Sequence, residues 1–301
     1  MEAGGRERMS MSVVNIILIL VVLVNGAFAV SFIRDLMAHR GETMKEPGNP
    51  FAMAVSSAVI FFLSTFGISD FAIGTALYRP LKWVEDKKLP GTLNTECVIP
   101  VAVMALAYIS SIKVDMLTLV LCIAGQVAGA YIGPRFVAKM NVDLIKKFIA
   151  AGLLVAASMI LMNKFGVYPS GGEETGLAGG KLALMTILSF VYGALNNVGI
   201  GSYALTMATV YAMGMNPGVA FPIMMGGCTF SVPVGSMQFI KFDIYSRKIT
   251  LFTAIFGTMG VLVAAFIVKS VDVSVLQWIV AVVILYSALS IIAGFMKPAK
   301  Q

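Results

Sequence analysis

The chain has 301 residues, of which 58% are apolar and only 12% charged, with a net charge of +7. Soluble domains carry roughly 45–50% apolar and about 25% charged residues, so a soluble fold is excluded. The positive balance suits loops facing anionic lipid rather than a nucleic-acid partner, and without a G-x-x-x-x-G-K-[ST] loop an ATP-driven pump is not expected.

Apolar runs of the length that spans a bilayer, about twenty residues, are predicted at 11–33, 92–112, 116–135, 142–162, 217–240, 249–268 and 271–295. The first follows Arg6 and Arg8 and contains Ala27-Phe28-Ala29, a small-residue pattern of the kind at which signal peptides are cut; an uncleaved first helix is the favoured reading. Two stretches, 51–79 and 182–213, are longer and are broken in the middle by polar and glycine residues, Ser64 to Asp70 in one and Asn196 to Ser202 in the other. Each is either a broken span or a hairpin that returns to the side it came from. If both cross, the 22 Lys and Arg residues divide evenly between the two sides. If both are hairpins, sixteen fall on one side, among them Arg79, Lys87, Lys88, Arg135, Lys146 and Lys248, and six on the other. The positive-inside rule selects hairpins, seven crossings, an external N-terminus and a cytoplasmic C-terminus.

The two halves also repeat. Gly67-Ile68-Ser69-Asp70-Phe71-Ala72 parallels Gly199-Ile200-Gly201-Ser202-Tyr203-Ala204, Lys113-Val114-Asp115 parallels Lys241-Phe242-Asp243, and Gly125 pairs with Gly257. Three crossings plus one hairpin per copy turn the second copy upside down relative to the first, as in many secondary transporters. The expected fold is therefore an all-α polytopic membrane protein. It forms one integral membrane domain over 1–301, with an N-terminal helix at 11–33, a first repeat at 51–163, a linker at 164–180 and an inverted second repeat at 181–295.

Both return helices, about 69–79 and 201–213, reach roughly half of an approximately 30 Å hydrocarbon core, so their N-termini should meet near the midplane. Unpaired N–H groups and the positive dipole end make such termini anion sites. Candidate substrate-binding residues are Thr65, Ser69, Asp70, Asn196, Asn197, Gly199, Gly201 and Ser202; the plain alternative is that small residues only let helices pack. Asp70 and Glu96 are the carboxylates well inside apolar segments and are the candidates for coupling. Asp70 also reads as a helix N-cap, and Glu96, about one turn inside its span, as an interfacial or salt-bridged residue.

Cys97 and Cys228 occupy corresponding spans and read as core packing rather than cavity lining. Gly125, Gly129 and Gly133 form a stripe expected to pack helices closely. Pro100, Pro222 and Pro233 should kink their helices, Trp83 should anchor at the membrane interface, and His39 should sit in a loop. No catalytic set can be assembled, because an aspartyl protease needs two apposed buried aspartates and a serine protease a buried base. No metal site or cofactor is expected.

The arrangement resembles the sulfite exporter (TauE/SafE) family of permeases over about residues 51–295. The likeness is clearest in the second half, at Tyr192-Gly193-Ala194-Leu195-Asn196-Asn197-Val198-Gly199-Ile200-Gly201-Ser202, then Asn216-Pro217, Ala220 and the Lys241–Asp243 loop. The resemblance implies two homologous halves in a bacterial inner membrane. It also implies transport of sulfite, a sulfonate or another small organic anion, and allows a homodimer. The family's first tip is glycine-rich where this chain has Ser69-Asp70, a departure that bears on the anion or on the coupling mode. A proton- or ion-coupled permease is the leading expectation. The alternatives are a passive anion channel and a non-transporting membrane subunit that binds a partner protein.

Overall fold

A computed structural model describes residues 2–66, 68–109, 114–167 and 172–267, together with 289. Among the described residues the chain is helical, with no strand beyond an isolated bridge between Glu174 and Met215. Gly67, Lys113 and, apart from residue 289, the predicted crossing at 271–295 lie outside the described residues. The helices are α1 (Glu2–Ala38), α2 (Pro50–Ser64), α3 (Asp70–Tyr78), α4 (Leu89–Ile109), α5 (Met116–Lys139), α6 (Val142–Lys164), α7 (Gly179–Asn196), α8 (Ser202–Ala212) and α9 (Ala220–Phe242). Then α10 (Arg247–Phe252) runs through a π-helical turn (Thr253–Gly257) into α11 (Thr258–Ile267).

Among the described residues five helices are long and apolar enough to cross a membrane, over Asn15–Ala38, Leu89–Leu106, Met116–Lys139, Ala220–Phe242 and Arg247–Phe266. Their outer faces expose Ile19, Val22, Leu23, Phe136 and Phe266, while Asp70, Asn94, Glu96 and Gln126 are buried. An apolar exterior around a partly polar interior is the arrangement that lipid, rather than water, selects. The helices continue through Pro100, Pro134 and Pro233.

The two broken stretches are hairpins. At the start of α2, the Glu46 and Gly48 carbonyls accept from Lys248 Nζ at 2.9 and 2.7 Å, and an added Cβ on Gly48 would lie 3.1 Å from the ring of Trp83, just past α3. The same end holds the C-terminus of α5, where Lys87 Nζ donates to the Val137 and Ala138 carbonyls at 3.2 and 3.1 Å. Ion pairs Arg79–Asp86 (2.8 Å), Lys146–Asp86 (3.5 Å) and Arg247–Asp35 (2.6 Å) collect there too. Tyr245 donates its hydroxyl to Asp35; burial, and then that carboxylate, raise the phenol above its ordinary range.

The second hairpin closes at the other end of α5. Lys181 Nζ donates to the Met213 carbonyl at 3.2 Å and the Gly172 N–H to Met215 at 2.9 Å. Asp115, the N-cap of α5, donates its N–H to Thr175 at 2.9 Å. The 24 residues of α5 rise about 36 Å between these ends. The two hairpins therefore enter the bundle from opposite ends.

Glycines fix how the hairpins are held. An added Cβ on Gly125 would lie 2.6 Å from the Thr186 carbonyl and one on Gly133 2.5 Å from Asn197 Nδ2, so the α5 stripe lies directly on α7, as expected of close packing. Gly257, in the π-helical turn, stands in the same relation to α2, with Phe61 2.6 Å from its added Cβ. Each hairpin thus leans on a glycine-bearing helix from the other half of the chain.

Candidate functional site

The tips are built differently. The chain leaves α7 through Gly199, whose φ of +92° permits the Ile200 N–H to reach back to Leu195 O at 3.1 Å, a C-terminal cap that closes the helix. Gly201 then caps α8 with no side-chain hydrogen bond, leaving the first-turn N–H groups without a side-chain partner from the cap. At the other tip Ser69 Oγ caps α3, accepting the Ala72 N–H at 3.3 Å. Asp70 follows in the first turn, its carboxyl facing the N–H groups of Asp70 and Phe71 and the side chains of Ser64 and Cys97. The tips touch, since an added Cβ on Gly201 would lie 2.7 Å from Ser69 Oγ.

Between them is a small cavity lined by Asp70 and Phe71, Cys97 and Val101, Asn196, Gly201, Ser202 and Tyr203, and Cys228 and Val232. It has room for about one water molecule. Its lining comes largely in corresponding pairs: Asp70-Phe71 with Ser202-Tyr203 from the tips, and Cys97/Val101 with Cys228/Val232, one helical turn apart, from α4 and α9. Both cysteines are buried in the hydrophobic core, as the packing reading expects, and both also border the cavity. Ser202 Oγ lies 3.3 Å from Cys228 Sγ and accepts from Asn196 Nδ2 at 3.3 Å. Asp70 Oδ2 and Asn196 Oδ1 are buried without a hydrogen-bond partner, so the cavity holds unused acceptors.

Of the residues singled out from sequence, Asp70, Asn196, Gly201 and Ser202 line the cavity, and Ser69 caps the tip beside it. Gly199 sits behind, as the turn that ends α7. Thr65 Oγ1 bonds to the Phe61 carbonyl at 2.8 Å. Asn197 is not brought to the cavity: its Nδ2 donates to the Gly193 and Ala130 carbonyls at 2.8 and 3.4 Å, wedged between Gly133 of α5 and Gly235 of α9.

Glu96 departs from the interfacial, salt-bridged reading. Helix α4 begins at Leu89, so Glu96 is two turns inside and 0% exposed, and its partner is the Tyr78 hydroxyl at 2.5 Å rather than a cation. Trp83 is not an exposed interface anchor either; it is buried and stacked on Tyr78, ring centroids 6.0 Å apart. Two participants were missed from sequence. Asn94 Nδ2 donates to the Asn196 carbonyl at 2.9 Å and ties the second tip to α4, and Tyr78 holds Glu96. The signal for the first was present in Thr92-Leu93-Asn94-Thr95-Glu96-Cys97, four hydrogen-bonding side chains in one short apolar run.

Five helices of membrane-spanning length and an apolar exterior mark a multi-pass membrane protein, and its two hairpin tips meet at a small, mostly apolar cavity that holds a few polar groups. The profile described as Sulfite exporter TauE/SafE matches residues 6–160, just over half of the chain, and the protein belongs to this family. The match covers the N-terminal half, whereas the likeness read from sequence was clearest in the other half. Comparison with curated proteins and with solved structures gives no significant match.

Proposed function

We propose that the protein is a proton- or ion-coupled secondary transporter of a small anion, such as sulfite, a sulfonate or another small organic anion. It works as two inverted repeats in a bacterial inner membrane, with the basic end of the bundle and the C-terminus in the cytoplasm. The anion binds when the tips part, held by the first-turn N–H groups of α8 and by Ser202, Asn196 and Ser69. The carrying observation is that the Asp70 carboxyl and the N-terminus of α8, which has no side-chain cap, line one cavity. With Asp70 ionised the cavity already contains a negative charge, and a second anion meets strong repulsion in a low-dielectric site. Protonation of Asp70 removes that repulsion, so anion and proton travel together.

The test is counterflow in proteoliposomes of the purified protein. Saturable sulfite uptake accelerated by sulfite on the far side supports a transporter. Non-saturating flux without counterflow would identify a channel instead, and no flux at all would point to a partner-binding subunit. Cysteine introduced at the exposed Lys82 should be labelled only from the inside; labelling from outside would overturn the orientation.

A further inference from the structure

We propose that Tyr78 and Glu96 form the inner part of a proton route along one face of α3, joining the cavity at the basic end of the bundle to Asp70. The proposal rests on the coupled-transport reading above and supplies the path that reading needs.

Asp70, Gly74 and Tyr78 are spaced i, i+4, i+8 and share one face of α3. Helix α4 lays Leu93 and Glu96 against that face. Tyr78 Oη donates to Glu96 Oε2 at 2.5 Å, and both residues are buried, 1% and 0% exposed. The other carboxyl oxygen, Glu96 Oε1, has no hydrogen-bond partner and lies over Gly74, where an added Cβ would be 2.9 Å from it. One turn further on, Asp70 Oδ2 also lacks a partner. The missing side chain at Gly74 therefore lets the unpaired Glu96 oxygen pack directly over the α3 backbone, one turn from the unpaired oxygen of Asp70. The titratable groups facing Glu96 are Tyr78 and Asp70 from α3 and Cys97 from its own helix; among the described residues no lysine or arginine acts on it. A buried carboxyl that no cation stabilises is costly, and in membranes such groups mark proton relays.

The outer end of the route is also in place. The Tyr78 ring stacks on Trp83 with an interplanar angle of 22°. Trp83 in turn lines a cavity of about 720 Å³ with Lys82, Glu85, Asp86, Lys87 and Lys88. Its indole covers Tyr78 and separates the buried pair from that cavity, so a swing of this one ring would open the route. In each passage Tyr78 Oη takes a proton from water on the Trp83 side and gives its own to Glu96 Oε2. Glu96, protonated on Oε1 at the outset, releases that proton past Gly74, through a water admitted when Trp83 swings, to Asp70 Oδ2. The proton received on Oε2 takes the place of the one lost as the carboxyl turns over, so Tyr78 and Glu96 end as they began and one proton has moved.

The experiment uses the full-length protein in proteoliposomes with sulfite as the probe and protein-free vesicles correcting for its own titration. Sulfite-driven proton movement and sulfite counterflow at equal pH are read side by side, with the melting temperature of each variant. Tyr78→Phe, Glu96→Gln and Gly74→Ala should each slow proton movement by about tenfold or more while counterflow stays within about twofold. Proton movement unchanged in all three, or proton movement and counterflow falling together, would overturn the route. Should one variant not fold, the other two decide. Wild-type counterflow without proton movement would sink the coupling reading itself, whereas wild-type coupling with unaffected variants would sink only the route.

Discussion

The two hairpin tips share a topology and differ in charge. At α3 the helix N-terminus carries its own carboxyl: Ser69 caps it and the Asp70 side chain faces its first N–H groups. At α8 the corresponding positions are Gly201 and Ser202, and no side chain caps the helix. One helix N-terminus thus meets a carboxyl from within the chain, and the other has no side-chain cap. On the proposed function, this difference is what would let one cavity both bind an anion and couple it to a proton: the neutral tip supplies the site, and the acidic tip decides when it can be filled.

Making the tips alike should have the largest effect. Ser202→Asp puts a second carboxylate into the cavity, and sulfite uptake should drop about a hundredfold or more; uptake within a few-fold of wild type would show that α8 does not receive the anion. Gly201→Ala is milder. Its methyl would meet Ser69 Oγ at 2.7 Å, wedge the tips apart and raise the KM for uptake about five- to tenfold; an unchanged KM would place the anion away from the contact between the tips. Smallest should be Asn197→Ala, which removes one bond that closes the end of α7 on Gly193 and one that ties it to Ala130 of α5. It should lower stability by about 1–2 kcal/mol, seen as a lower melting temperature, with KM within about twofold; a large rise in KM would return Asn197 to the binding site.

Much of this was legible in the sequence because hydropathy and charge act on whole segments. The uneven Lys and Arg count selected hairpins over crossings, and Lys87, Arg79, Lys146 and Lys248 do gather at one end. The break positions were right to within a residue or two, since Gly199 and Ser69 are turn and cap residues by local chemistry. What the sequence could not supply was the rotation of each helix. Asn196 and Asn197 are neighbours in the chain, yet one lines the cavity and the other packs against Gly133, because adjacent helical positions point about 100° apart. The same blindness read Trp83 as an interface anchor, although its ring is buried against Tyr78. Glu96 was placed too close to the interface because α4 starts at Leu89, before its apolar run begins.

The central claim is that Asp70 ties anion movement to protons. The direct measurement is sulfite uptake into proteoliposomes under an imposed pH gradient, wild type against Asp70→Asn. The wild type should accumulate sulfite against its gradient when the outside is acidic. The variant, unable to exchange a proton at this position, should keep counterflow but lose both the accumulation and the dependence on pH. Accumulation in Asp70→Asn that follows the pH gradient as in the wild type would contradict the account.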